Sequence, residues 1–182
     1  MFSYIKLKLA NYILQREIRK NNRVAQVVSV SKTKTLALLF DANNSQDILV
    51  VKSFLKYFLN RDIDVYVFGF VNKRKMEDIH LSTIHVNYFN LQDLNLIGIP
   101  NSKKFNLFIK KKYEILINLS LKNSFPTKYL ALKSNSKYRI GIFTDRNNRD
   151  YDLMMKLKIK SLDFFKKHLI HYLEIIDKNN EK

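Results

Sequence analysis

The sequence predicts an α/β fold, a three-layer, Rossmann-like sandwich with a mostly parallel sheet of four or five strands, plus a basic N-terminal helix. Two observations lead to this prediction. Short apolar runs that end in polar, turn-prone residues alternate along the chain with segments whose apolar residues recur at helical spacing. Apolar residues also make up 46% of the 182 residues, which is enough for a buried core without disulfides or a structural metal.

The first β-α-β unit lies within residues 35–71. The apolar run TLALLFD at 35–41 predicts a buried strand, and Ser45 fits the N-cap position of the helix that follows. That helix should end near Arg61. The run DVYVFGFV at 64–71 is β-branched and aromatic, which predicts the second strand. Two strands joined by a helix are expected to be parallel neighbours with a right-handed crossover.

The remaining chain continues this alternation. A third strand is predicted at 83–89, a short basic helix at 102–112 and a buried strand at 114–120. Asn123, Ser124 and Pro126 favour the start of a helix that runs to about Ser134. A further strand is predicted at 138–144, and the last helix should begin at Ser161.

Residues 1–34 are predicted to be a basic helical extension of a single domain at 35–178, with a frayed tail at 179–182. The N-terminal helix is not cleanly amphipathic, because its apolar residues form two stripes. The first stripe consists of Phe2, Ile5, Leu9, Tyr12 and Ile13, and the second of Leu7, Leu14 and Ile18. One stripe can therefore pack on the domain while the other contacts something else.

The net charge of +17 is concentrated in two segments. Residues 1–34 hold eight Lys or Arg against one acid, and residues 94–144 hold ten against one. An AT-rich genome would enrich lysine without any partner, but it does not readily explain this segregation. The segregation predicts an anionic partner, with RNA or a ribonucleoprotein as the leading class. The predicted nucleic-acid-binding residues are Lys103, Lys104, Lys110, Lys111, Lys112, Lys122, Lys128, Lys133, Lys137 and Arg139.

The composition argues against several kinds of chemistry. The chain has no cysteine, which removes thiolate nucleophiles, redox pairs and cysteine-containing metal sites. Its three glycines are too far apart to build a phosphate loop. We therefore expect no cofactor, no metal site and no catalytic motif. The first residues do not resemble a secretory signal and no segment is long and apolar enough to span a membrane, which predicts a cytoplasmic protein.

A second candidate site follows from the predicted sheet. The carboxyl ends of parallel strands line the ligand crevice of such folds, and polar residues follow each predicted strand. These crevice residues are Asp41, Asn43, Asn72, Asn118, Ser120, Thr144, Asp145 and Arg146. The same residue types also serve as ordinary turn and cap residues, so this alternative stays open.

Two resemblances add to this interpretation. The segment YEILINLSLKNSFPTKYLALKSNSKYRIGIF at 113–143 resembles the first half of a heptosyltransferase-like glycosyltransferase domain. The combination of TLALLFDAN, VYVFGFVNK, FPTKYLALKS and YDLMM resembles a family of small uncharacterised basic α/β proteins from Bacteroidota bacteria. The second resemblance implies the fold but no activity. Asn118 stands where that family would be expected to carry Asp, which weakens the case for a catalytic acid there.

These observations support three hypotheses about function. The leading one is a non-enzymatic cytosolic protein that binds RNA or a ribonucleoprotein through its clustered lysines. The second is a degenerate glycosyltransferase-like or other small-ligand-binding enzyme that uses the strand-end crevice. The third is a peripheral membrane protein whose basic N-terminal helix binds an anionic membrane surface.

Overall fold

The computed structural model describes residues 4–20, 23–122, 124–144 and 150–180. It confirms the predicted α/β class, with one open sheet whose strand pairs are all parallel. Within the described residues the strands are β1 (Thr35–Asp41), β2 (Asp64–Val71), β3 (Val86–Asn90), β4 (Lys112–Asn118), β5 (Asn135–Ile142) and β6 (Leu153–Met155). The helices are α1 (Tyr4–Ile18), α2 (Ser45–Leu59), α3 (Lys103–Lys110), α4 (Phe125–Lys133) and α5 (Leu162–Asn180).

The sheet has the order β3-β2-β1-β4-β5-β6, one strand more than the four or five expected. The additional strand is β6, whose three partly buried residues pair with β5 at the edge of the sheet. A run this short has no periodicity that a sequence pattern can reveal. The centre of the sheet is β1, which pairs with β2 on one side and with β4 on the other.

The core is divided between the two faces of the sheet. On one face, α2 and α5 cover Leu36, Leu38 and Phe40 of β1 within a larger apolar cluster. On the other face, α1, α3 and α4 cover Ala37 and Leu39 in a second cluster. Because both faces are covered, the interior residues of β1 are apolar without a polar alternation, as is usual for buried parallel strands.

The N-cap residue of α2 is not the Ser45 that was predicted from the sequence. Asn44, not Ser45, is the N-cap, and its side-chain oxygen accepts a hydrogen bond of 2.8 Å from the backbone N–H of Asp47. Asn44 has the extended backbone of an N-cap residue, whereas Ser45 is already the first residue of the helix. Both residue types suit this position, so the sequence alone did not distinguish them.

The N-terminal helix packs directly against the α/β layers. Residues Phe125 to Leu132 of α4 are all buried, and α1 covers this helix through Ala10 and Leu14, both of which are inaccessible to solvent. Arg23 then binds the start of β5 by donating to the backbone carbonyls of Ser136 and Lys137. Leu14 and Ile18 of the second stripe pack on the domain together with Ile13 of the first stripe, whereas Leu7 of the second stripe is exposed. Phe2 of the other stripe lies outside the described residues, as do residues 181–182 of the expected tail.

Candidate functional site

The sheet changes direction between β1 and β4, and this point carries a cluster of polar side chains. The chain moves outward from β1 through β2 to β3, returns across the sheet, and continues from β4 through β5 to β6. The connections on the two sides of β1 and β4 therefore diverge, which opens a crevice at the carboxyl ends of these two strands. Asp41 ends β1, and Asn118 ends β4, with Ser120 two residues beyond. These three predicted crevice residues lie together.

Asp41 is the most unusual group in this cluster. Burial raises the pKa of its carboxyl group to about 6, although the hydroxyl groups of Ser124 and Ser120 and the charge of Lys122 act in the opposite direction. Its Oδ1 atom is buried and has no hydrogen-bond partner among the described residues. A buried carboxylate oxygen without a partner is costly, because it has lost its hydration without replacement.

The hydroxyl groups near Asp41 also hydrogen-bond to one another and to the backbone. Thr127 donates its hydroxyl proton to the backbone carbonyl of Ser124 at 3.0 Å. The hydroxyls of Ser120 and Thr127 are 2.8 Å apart, and either oxygen can be the donor of this hydrogen bond. The hydroxyls of Ser120 and Ser124 also act on the Asp41 carboxylate and lower its pKa, but neither is a hydrogen-bond partner of Oδ1.

Asn118 is held in place by Tyr151, a residue that the sequence analysis did not select. The Nδ2 atom of Asn118 donates to the Tyr151 hydroxyl at 2.7 Å, and its Oδ1 accepts from the backbone N–H of Ser120 at 3.1 Å. The Tyr151 ring lies directly over Gly141, where an added Cβ would come within 2.5 Å of the ring. Gly141 is thus needed because the ring occupies the space of a side chain. Asn118 is a structural residue in this arrangement, since its polar atoms are satisfied.

Of the other predicted crevice residues, Asn43 and Asn72 contact each other and Thr144 lines a separate cavity. Asn43 accepts a hydrogen bond of 2.8 Å from the backbone N–H of Asn72, which links the ends of β1 and β2. Thr144 lines a shallow cavity together with Lys156 and Lys160, near the carboxyl end of β5. Asp145 and Arg146 lie outside the described residues.

The predicted nucleic-acid-binding residues fall into three groups, of which the first is buried. Lys128 is 8% exposed and its Nζ lies 2.7 Å from a carboxylate oxygen of Asp150. Arg139 is 5% exposed and donates to the backbone carbonyl of Ser134 at 2.7 Å. Burial lowers the pKa of Arg139 to about 10. Both residues stabilise the interior of the protein and present no cationic group to a macromolecular partner.

Three residues of the second group lie away from the amino ends of the central strands. Lys103 and Lys104 begin α3 at the carboxyl side of the sheet, and Lys104 pairs with Asp93 at 2.7 Å. Lys122 is exposed just beyond β4 on the same side. The fourth, Lys133, ends α4 at the amino side of the sheet, two residues before β5, and its charge is paired with Glu17 of α1 at 2.7 Å.

The third group, Lys110, Lys111, Lys112 and Lys137, lies where β4 and β5 begin. Lys34, which was not among the predicted binding residues, lies beside them at the start of β1, and we call these five lysines the amino-edge surface. Lys34 belongs to the first basic segment of the sequence and the other four belong to the second. The parallel register places Thr35 beside Asp64 and Lys112 beside Asn135, so the residues that begin these strands share one edge. The fold therefore brings the two basic segments together.

Two acids accompany the amino-edge surface. Glu114 accepts hydrogen bonds of 2.8 Å from the backbone N–H groups of Lys34 and Thr35, and lies 3.9 Å from the Nζ of Lys137. Burial alone would raise the pKa of Glu114, but these backbone hydrogen bonds lower it below its usual value. Lys111 lies 3.5 Å from a carboxylate oxygen of Asp64 and 3.4 Å from the centre of the Tyr66 ring. Lys34, Lys110 and Lys112 are exposed and have no ion pair among the described residues.

Sequence reasoning missed Tyr151, Thr127 and the Lys128–Asp150 pair. Thr127 follows a proline in the first turn of a helix and is typical of an ordinary cap segment, so it gave no signal. Over the part of the chain that the structure describes, no group of three or more His, Asp or Glu could hold a metal ion. None of the described helices is long and apolar enough to cross a membrane.

Comparison with known proteins gives one match. The sequence profile of a family of unknown function, DUF6913, matches residues 6–176. The chain belongs to this family. No curated protein and no solved structure matches the chain. The DUF6913 match spans the amino-edge surface and the cluster around Asp41.

Proposed function

We propose that this protein binds RNA through the amino-edge surface. The observation that supports this proposal is the meeting of two basic segments that are far apart in the sequence. Lys34 comes from the first segment and Lys112 and Lys137 from the second, yet all three adjoin Glu114 or the strand ends around it. If the lysines reflected compositional bias alone, we would expect them to be spread over the surface and not concentrated at one edge of the sheet.

The charge balance of the surface favours a polyanion. Its five lysines face two acids, Glu114 and Asp64, which leaves an excess of three positive charges. The positive potential is therefore only partly neutralised within the protein, and it attracts phosphate groups by releasing their counterions.

The residue types favour contacts with the RNA backbone. Lysine is a flexible point charge, whereas the bidentate recognition of bases generally uses arginine. No arginine belongs to the amino-edge surface. We therefore expect binding that depends strongly on salt and weakly on base sequence.

A salt titration of RNA binding tests this proposal. Fluorescence anisotropy of a labelled single-stranded RNA should give a steep linear fall of log K with log salt concentration. The double variant Lys110→Ala, Lys112→Ala should reduce the slope by about 1.4, because each lost phosphate contact removes roughly 0.7.

The chain offers a matched control for this measurement. Lys103→Ala with Lys122→Ala removes the same charge from two exposed lysines at the opposite side of the sheet. This control should leave the slope nearly unchanged. A flat salt dependence in the parent protein would refute RNA binding, and equal effects of the two double variants would refute the amino-edge surface as its location.

The buried Oδ1 of Asp41, which has no hydrogen-bond partner among the described residues, favours a second candidate function, the binding of a small polar ligand in the crevice between β1 and β4. A ligand hydroxyl or amine could donate to Oδ1, the atom that has no hydrogen-bond donor among the described residues. A pKa of about 6 also suits a group that exchanges a proton near neutral pH. A degenerate glycosyltransferase-like activity is one form of this proposal.

A thermal-shift screen tests the second candidate. Phosphorylated and hydroxylated metabolites should be compared on the parent protein and on Asp41→Asn, which keeps the size of the side chain. A ligand of the crevice should raise the melting temperature of the parent protein and have a smaller effect on the variant. A screen in which no compound distinguishes the two proteins would count against this candidate.

A further inference from the structure

The outer face of α1 exposes apolar side chains that nothing in the described structure covers. Ile5 is 76% exposed, Leu9 47% and Tyr12 67%. With Arg16, they follow the spacing of three and four residues that places side chains on one face of a helix. Ala10 and Leu14 lie on the opposite side of the helix and are fully buried. The exposed stripe is thus held outward by the packing of the inner one.

The charges on this helix are also distributed unequally. Lys8 and Arg16 are exposed beside the apolar stripe, and the ammonium group of Lys8 lies 4.5 Å from the centre of the Tyr4 ring. The acid of α1, Glu17, pairs with Lys133 of α4 at 2.7 Å. The described part of the outer face therefore combines apolar side chains with positive charge and has no acid.

This combination favours an anionic lipid surface over other occupants. A second copy of the chain would place Lys8 and Arg16 opposite the same cations, which is unfavourable. The phosphate groups of RNA would contact the cations, but Ile5 and Leu9 have no role in contacts with a phosphate backbone. At a membrane surface, the apolar side chains enter the boundary between headgroups and acyl chains, the tyrosines occupy the headgroup level, and the cations contact anionic headgroups.

We propose that the outer face of α1 binds anionic membrane surfaces, with the helix lying parallel to the membrane plane. The bound orientation is set by the contacts that hold α1 on α4, namely Ala10, Leu14 and the Glu17–Lys133 pair. The α/β layers then lie above the membrane on the far side of α1. This inference does not rest on RNA binding, because it uses a different surface.

Co-sedimentation with vesicles tests the proposal on the full chain after nuclease treatment. The protein should sediment with mixed phosphatidylcholine–phosphatidylserine vesicles and much less with phosphatidylcholine alone. The double variant Ile5→Ser, Tyr12→Ser should reduce partitioning more than tenfold, because two large apolar side chains lose their place in the lipid. Arg16→Ala should reduce partitioning about fivefold, and only onto the anionic vesicles.

The matched control is Ile84→Ser with Leu96→Ser, which removes two apolar side chains that are 89% and 87% exposed elsewhere on the protein. All of these positions are exposed, so the variants should keep the melting temperature of the parent protein. The proposal is overturned if the parent protein does not sediment with anionic vesicles, or if the control variant loses binding equally. Sedimentation that requires added RNA, or an α1-dependent dimer without vesicles, would overturn it in favour of those partners.

Discussion

Replacing Asp41 by asparagine should stabilise the protein at neutral pH. The gain in unfolding free energy should become smaller as the pH is lowered. The pKa of Asp41 is raised from 3.8 to about 6, which at about 1.36 kcal/mol per pH unit corresponds to about 3 kcal/mol. The folded state binds the proton more tightly than the unfolded state, so the ionised carboxylate destabilises the fold. This penalty is absent below pH 3.8, grows as the pH rises towards 6, and is complete above that value.

Urea unfolding of the parent protein and of Asp41→Asn, measured at several pH values between about 4 and 7.5, gives the difference in unfolding free energy. Titration of other carboxyl groups cancels in this difference. The variant should gain stability over the parent protein with rising pH, up to about 3 kcal/mol.

Asp62→Asn is a suitable control for the loss of a negative charge, because Asp62 is exposed and asparagine tolerates its φ of 57°. A difference for Asp41→Asn that does not change between pH 4 and 7 would refute the reasoning. So would a variant that is less stable than the parent protein at neutral pH.

Three further substitutions test the packing that surrounds the two sites. Leu14→Ala should lower the unfolding free energy by about 2–5 kcal/mol in urea titration, because Leu14 is fully buried between α1 and the domain. Gly141→Ala should cost about 1–3 kcal/mol by the same assay, since its Cβ would meet the Tyr151 ring; a neutral result would show that the ring moves freely. Lys128→Ala should cost about 3–5 kcal/mol in the same assay, because it leaves Asp150 as an unpaired carboxylate in a largely buried position.

The sequence was sufficient for the fold class because each long element carries its own periodicity. Residues 35–41 and 64–71 are continuous apolar runs, and the structure has strands with these bounds. The missed element, β6, has three residues and depends on pairing with β5. Its position is decided by tertiary contacts, which a local pattern does not contain.

The candidate sites were predictable only in part, because charge is visible in a sequence and burial is not. Lys128 and Lys112 look alike in the sequence, yet one is buried beside Asp150 and the other is exposed at the start of β4. The sequence placed Asp41 at a strand end, but the burial of its Oδ1 without a described hydrogen-bond partner depends on how Ser120 and Ser124 are placed around it. That placement follows from three-dimensional contacts.

The burial of α4 beneath α1 constrains the order in which the chain can fold during synthesis. Residues 4–18 of α1 leave the ribosome long before α4, and Arg23 finds its partners 113 and 129 residues later in the chain. At typical elongation rates of 5–20 residues per second, this interval is on the order of ten seconds. Throughout that time both apolar stripes of α1 are uncovered. The nascent helix can therefore bind a membrane, a chaperone or another nascent chain before the domain on which it packs has been synthesised.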